Sequence, residues 1–252
     1  MADDEFRSWV LPGSYPFEAL LASARLEELG KGRRGAVLVR IDDDGAMPLV
    51  RTTTQYRTPV QPFLALHERI AHEIHGSLPR FNNALIEHYT NAYSTMKRHS
   101  DQALDLADES SIAIYSCYRD PERPSRRLVI KSKEPTGGSF ELPLAHGSVV
   151  MFSLATNRRF THTIALCERA PANDWLGLTF RTSKTFVRMI DGKPHFANGA
   201  PLTLANEDQR REFFQLRRRE NEETSFAYPV IEFTISEGDL MACNTAVSPD
   251  LS

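Results

Sequence analysis

The chain has 252 residues, of which 41% are hydrophobic and 25% charged, with 30 Lys+Arg against 33 Asp+Glu for a formal net charge of −3. These are ordinary globular values, and they exclude a fibre, wholesale disorder and a protein whose whole surface grips nucleic acid. No apolar run reaches bilayer length, the start Met1-Ala2-Asp3-Asp4-Glu5 is acidic where a signal peptide is basic, and Cys117, Cys167 and Cys243 are too few and too scattered for a disulfide framework or a zinc–cysteine site. A cytoplasmic setting without membrane association is therefore expected.

Along the chain, Phe17, Leu20, Leu21 and Ala24 form an apolar stripe at helical spacing, and Gly30 supplies the stop for a first helix. Residues 35–41 are rich in branched side chains and end in Asp42-Asp43-Asp44-Gly45, which predicts a strand and a turn. A second helix is predicted over 62–74, with Phe63, Leu66, Ile70 and Ile74 on one face. After Pro79 come short strand-like runs at 112–118, 128–133, 148–154, 162–167 and 176–187, separated by turn-rich stretches such as Asp120-Pro121-Glu122-Arg123-Pro124. Strands at this spacing, with no long helices between them, predict a mainly antiparallel sandwich or jelly roll. Residues 206–223 predict a charged helix around Phe213, Phe214 and Leu216, and 228–235 a last strand. Three segments are expected: 1–80, an extension and candidate substrate lid; 81–190, the core; and 191–252, a helix and strand that either cap the sandwich or mediate association.

The chemically informative stretch is Arg98-His99-Ser100-Asp101-Gln102. Side chains alternate across an extended segment, so His99 and Asp101 project to the same side and can ligate one metal ion. His162, opening an apolar strand in Phe160-Thr161-His162-Thr163-Ile164, offers a second imidazole. Two His and one carboxylate are the facial set of non-haem Fe(II) oxygenases, which leaves coordination positions open. A bare His-x-Asp fits a solvated turn equally well; its surroundings decide. Gly147-Ser148-Val149-Val150-Met151-Phe152 precedes His162, and Leu178-Thr179-Phe180-Arg181 follows it. Asn83-Ala84-Leu85-Ile86-Glu87-His88-Tyr89 precedes His99.

In this order the segment from Phe81 to Val187 resembles the AlkB-like branch of the 2-oxoglutarate and Fe(II)-dependent dioxygenases. The resemblance implies a mainly β fold with flanking helices, a double-stranded β-helix, with iron held by His99, Asp101 and His162. It also implies 2-oxoglutarate and O₂ as co-substrates, decarboxylation to succinate and CO₂, and oxidation of a substrate C–H bond. Arg181 is the expected partner of a co-substrate carboxylate, since a guanidinium matches a carboxylate bidentately. Thr179 and Ser183 share its strand face, and Tyr89 matches the family's tyrosine. The sequence departs from the family at Trp175, where a second arginine is usual, at Glu87, where an asparagine is usual, and in the spacing of Tyr89 from the metal His. Either Arg181 with Ser183 does the main work, or another cation such as Lys131 or Lys184 substitutes.

AlkB-like enzymes are best known for dealkylating nucleobases, and others act on proteins, lipids or small metabolites, so the resemblance leaves the substrate open between a modified nucleobase and a small molecule. Arg51-Thr52-Thr53-Thr54-Gln55-Tyr56-Arg57 carries hydroxyls, an amide, an aromatic ring and two cations, and Arg51, Gln55 and Tyr56 are candidate substrate contacts; an ordinary strand fits the same residues. The net charge disfavours duplex DNA. Three readings follow: an AlkB-type dioxygenase, a hydroxylase of an amino acid, nucleoside or natural product on the same scaffold, and a metal-binding module without turnover. His67 and His72 are five apart, not the four of a zinc-protease helix, and read as helix-surface residues. Arg217-Arg218-Arg219, flanked by glutamates, reads as a solvated face.

Overall fold

Strand alternation assigns two different jobs to the two faces of one large sheet. The computed structural model describes residues 5–13, 15–76 and 81–245. The acidic stretch before Glu5 and the Pro79 boundary lie outside them. In chain order the strands are β1 (Phe6–Val10), β2 (Glu27–Gly30), β3 (Arg33–Val39), β4 (Met47–Pro48), β5 (Gln61–Pro62), β6 (Asn83–Tyr89), β7 (Ser111–Tyr118), β8 (Arg126–Ser132), β9 (Ser139–Leu144), β10 (Ser148–Ser153), β11 (Phe160–Leu166), β12 (Trp175–Arg181), β13 (Phe186–Ile190), β14 (Lys193–Phe196), β15 (Thr203–Leu204) and β16 (Phe233–Thr234). The helices are α1 (Phe17–Ala22), α2 (Ala65–His75), α3 (Leu154–Arg159) and α4 (Glu207–Glu222). Among the described residues no helix is long and apolar enough to cross a membrane.

The major sheet runs β1-β10-β7-β12-β6-β3-β2, with β5 added beside β3; the minor sheet runs β11-β8-β9. On one face of the major sheet, Ala36, Leu38, Ala84, Ile86, Tyr115, Leu176, Leu178 and Phe180 pack under Leu20, Ile70 and Ile74 of α1 and α2. On the other face, Ile112, Ile114, Val150 and Phe152 meet Leu128, Ile130, Phe160 and Ile164 of the minor sheet. Two facing antiparallel sheets of this kind form a jelly roll, mainly β with flanking helices. Strands from the first 80 residues share the major sheet with β6, β7, β10 and β12.

Three expectations change, and a strand appears where none was expected. The first helix stops at Ala22, with Ser23 in the C-cap position, and Gly30 instead closes β2. The run over 176–187 breaks after Arg181, because the Ser183 hydroxyl donates to the backbone oxygens of Leu49 and Asp105 and turns the chain toward β4. Only Phe233–Thr234 of the last predicted strand is extended in a sheet, pairing in parallel with β15. β6 shows no alternation to read, being buried on both faces.

Candidate metal centre

The minor sheet brings the two histidines together. His99 and His162 exchange backbone hydrogen bonds, His99 N donating to His162 O at 2.9 Å and His162 N to His99 O at 2.7 Å. Residues opposed in such a ladder put their side chains next to each other, and here the imidazole centroids are 4.8 Å apart. Asp101 follows two residues later on the same side. Its Oδ1 lies 3.7 Å from His99 Nε2 and 3.5 Å from His162 Nε2. One ligand atom from each of the three residues falls within 4.8 Å of the others. Asn157 of α3 fixes the carboxylate's backbone, accepting from Asp101 N at 2.8 Å and donating to Asp101 O at 2.7 Å.

The electrostatics prepare this trio for a cation. Burial opposes the Asp101 charge, but Arg181 and the two imidazoles outweigh it and hold the carboxyl far below the usual range. Arg181 Nε and Nη2 both reach Asp101 Oδ2 at 2.7 Å, which leaves Oδ1 facing the histidines. Burial, and then the neighbouring His162, push the His99 imidazole down to about 3, although Asp101 pulls the other way. His99 Nδ1 is 2.9 Å from the Lys97 carbonyl, which can only accept, so the ring proton sits on Nδ1 and Nε2 keeps its lone pair. An ionised carboxylate and a neutral imidazole, beside a second imidazole, are the donor set that Fe(II) takes from a facial triad. The residues present fit that metal.

The trio sits in the wall of a cleft of about 730 Å³. On the inner face of the major sheet the cleft is lined by Arg181, Thr179, Leu85, Glu87 and Arg33. Its mouth is formed by Thr52, Thr53 and Thr54 on one side and by Lys97, Arg98 and α4 on the other. The helix is fastened over the site: Arg217 donates to Ser100 O and pairs with Glu220, Ser100 N donates to Asn221 Oδ1 at 2.9 Å, and Ala103 N donates to Glu220 Oε1 at 2.7 Å. Arg217 is thus buried rather than on a solvated face; Arg218 lines the mouth, and Arg219 pairs with Glu223.

Of the residues singled out from sequence, His99, Asp101, His162, Thr179 and Arg181 line the cleft together. Tyr89 is fully buried, and its hydroxyl donates to Glu87 Oε2 at 2.8 Å. Ser183 is occupied by backbone carbonyls. Arg51 is buried in an ion pair with Asp105 at 2.7 Å and donates to the carbonyls of Ile231 and Phe233, so it ties the C-terminal segment to the core. Tyr56 is buried among Val37, Val39 and Leu85, and Gln55 accepts from Arg210 outside the cleft. Lys131 points outward from β8, and Lys184 pairs with exposed Asp108, so neither reaches the cleft. His67 is buried against Ser23 rather than exposed on its helix. Trp175 is also buried, stacked on Tyr89 with centroids 4.8 Å apart, and its indole folds back over Gly177, where a Cβ would come within 2.0 Å of the ring.

Sequence reasoning missed Arg33 and the inner face of α4, and it had Thr54 only as one hydroxyl of the 51–57 stretch. Each reaches the site from far along the chain, and no local spacing marks them.

The sequence profile of the 2OG-Fe(II) oxygenase superfamily matches residues 46–186, more than half of the chain. The human protein DNA oxidative demethylase ALKBH2 is 30% identical over 129 residues, which are 48% of this chain and 47% of that protein, so the chain spans about half the length of this relative. With the His99–Asp101–His162 cluster at the centre of the matched region, the chain belongs to the 2OG-Fe(II) oxygenase superfamily, and that membership implies Fe(II), 2-oxoglutarate and O₂ as its cofactors.

Proposed function

We propose that the chain is an Fe(II)- and 2-oxoglutarate-dependent dioxygenase that hydroxylates or oxidatively dealkylates a nucleobase. The observation that carries this reading is the His99–Asp101–His162 cluster opening into a cleft that also contains Arg181. His99, Asp101 and His162 hold the metal, which with 2-oxoglutarate and O₂ supplies the oxidant. Arg181 keeps Asp101 ionised and turned toward the metal position, and its guanidinium steers the co-substrate's carboxylate end. Thr179, on the same strand face, adds a hydroxyl beside it. α4 and the threonines of 52–54 narrow the mouth and limit water.

The nucleobase part of the proposal rests on the mouth. Lys97 and Arg98 offer cations for phosphates, beside Arg218 in its 3.0 Å pair with Glu222, and Phe214, 41% exposed on α4, offers a ring for stacking. The related human protein is named as a DNA oxidative demethylase. A single strand or a flipped base suits this short cationic rim better than a long duplex groove does, because the chain as a whole is acidic.

The test has two stages. Anaerobic protein is titrated with Fe(II) and 2-oxoglutarate while the visible metal-to-ligand charge-transfer band is followed; the band is expected, and is expected to vanish in His99→Ala. Succinate release is then measured with N-methylated single-stranded oligonucleotides and with the corresponding free nucleosides. Turnover confined to oligonucleotides, falling with salt, supports the nucleobase reading. Turnover confined to free nucleosides or other small molecules replaces it with a small-molecule hydroxylase. A band without turnover on any substrate leaves a metal-binding module.

A further inference from the structure

Trp175 stands where the family resemblance expects a second arginine, and the chain supplies a cation to the cleft from elsewhere. Cross-strand register places Arg33 of β3, Tyr89 of β6 and Trp175 of β12 in one row across the sheet. In that row the guanidinium sits two strands away from Trp175. Arg33 lines the cleft and reaches back along it: Nε and Nη2 donate to Glu87 Oε1, at 2.9 and 2.5 Å, and Nη2 donates to Thr54 Oγ1 at 2.9 Å. The bonds to Glu87 and Thr54 do not use Nη1; the Tyr93 ring lies 5.8 Å from the guanidinium and its hydroxyl also hydrogen-bonds Arg33, whose remaining N–H hydrogens face the cleft.

Glu87 is the obvious objection, since a second carboxylate would repel an incoming one. Both of its oxygens are already engaged, Oε1 by Arg33 and Oε2 by the Tyr89 hydroxyl. It therefore acts as a brace that holds the guanidinium planar and fixed. Thr54 accepts from Arg33, which leaves its own hydroxyl hydrogen to donate. A second guanidinium lies against Tyr89, outside the cleft lining. Arg126 is buried over the Tyr89 ring, 5.1 Å from its centroid, and donates to the carbonyls of Thr90 and Tyr93; no carboxylate pairs with it among the described residues. Two guanidinia against one carboxylate leave a formal charge of +1 around Tyr89, which one more carboxylate would neutralise.

We propose that the remaining N–H hydrogens of Arg33 and the Thr54 hydroxyl bind the far carboxylate of 2-oxoglutarate, in place of a cation at position 175. This rests on the dioxygenase reading above. It predicts recognition of that one group, so two 2-oxo acids that differ only there separate it from every other contact. 2-Oxopentanoate has the same chain with a methyl in place of the far carboxylate, and both acids chelate iron through the same keto acid end.

The experiment titrates each acid into anaerobic Fe(II)-loaded protein and reads the charge-transfer band. The parent is expected to bind 2-oxoglutarate at least about tenfold more tightly than 2-oxopentanoate, as befits a charge-assisted contact. Arg33→Met is expected to erase that preference while leaving 2-oxopentanoate binding unchanged, and Thr54→Val to weaken it in part. Because Arg33→Met strands Glu87, the double variant Arg33→Met/Glu87→Gln is run beside it, with the same loss of preference expected. An unaltered preference in both Arg33 variants overturns the proposal, as does an equal loss of both acids. Failure of the parent to bind either acid, with iron present, overturns the dioxygenase reading itself and this inference with it.

Discussion

Asp101 meets Arg181 through one carboxylate oxygen and the two histidines through the other. The division explains how a carboxylate can be buried and ionised before any metal arrives. Removing the cation strands that charge, and breaking a buried pair costs about 3–5 kcal/mol. Arg181→Met is therefore expected to lower the stability of metal-free protein by about that much in urea unfolding. Saturating Mn(II) should recover part of the loss in Arg181→Met, because the metal takes over the neutralisation of Asp101. A loss of the same size with and without metal would contradict this account.

Asn157 touches no ligand atom, yet it clasps both the N–H and the carbonyl of Asp101. Groups that orient a metal ligand in this indirect way are worth on the order of tenfold to a hundredfold in affinity. Asn157→Ala should weaken Mn(II) binding by about tenfold in an isothermal titration, while circular dichroism stays that of the parent. Undiminished affinity would assign the clasp to folding alone.

His67 gives the molecule an acid-sensitive joint away from the metal. Its Nδ1 accepts from Leu64 N at 3.0 Å, capping α2, so the proton is on Nε2, 2.8 Å from Ser23 Oγ. Burial pushes this imidazole down to about 4, with Glu68 opposing weakly. The folded value lies below the unfolded one of roughly 6.5, so the unfolded chain binds the proton first. The stability it contributes is complete above about pH 6.5 and is lost as the pH falls toward 4. Between pH 7 and pH 5 this single group should account for about 2 kcal/mol of the decline in unfolding free energy. His67→Gln, compared with the parent at both pH values, should show a decline smaller by that amount.

Phe213 is fully buried under α4 and packs with Leu216, Ile231, Phe233 and Ile235. Truncating it leaves a cavity, at a cost of about 3–5 kcal/mol. Phe213→Ala should accelerate amide hydrogen exchange through α4 and around Ser100, where Arg217 and Asn221 dock. Mn(II) binding should persist, since α4 contributes no residue to the His99–Asp101–His162 cluster.

The pair His99 and Asp101 was legible because a two-residue period carries side-chain direction in an extended segment. His162 was legible only in company, since the bridge that seats it beside His99 is a register between segments 63 residues apart in sequence. β8 announced itself by alternation, whereas β7 and β12, buried on both faces, were legible as nearly unbroken apolar runs. β6 is equally buried, but Asn83, Glu87 and His88 interrupt its apolar run, and β1 at the sheet edge offers only five residues. Arg51 and Tyr56 had the right chemistry for substrate contact, but the fold turns them inward, where Asp105 and an apolar cluster engage them. Arg33 and Arg217 were hidden for the opposite reason. An arginine next to Gly32, or within a run of charges, looks like solvent-facing material until a partner such as Glu87 or Ser100 is brought to it.

Trp175 and Gly177 share one volume, because the indole lies where a side chain at position 177 would stand. The indole is sealed beneath Tyr89 and has nowhere to withdraw. The two positions are therefore coupled: any side chain at 177 requires a smaller one at 175. A narrower side chain at 175 would free the volume beside 177, so the tolerance of one position is set by the occupant of the other.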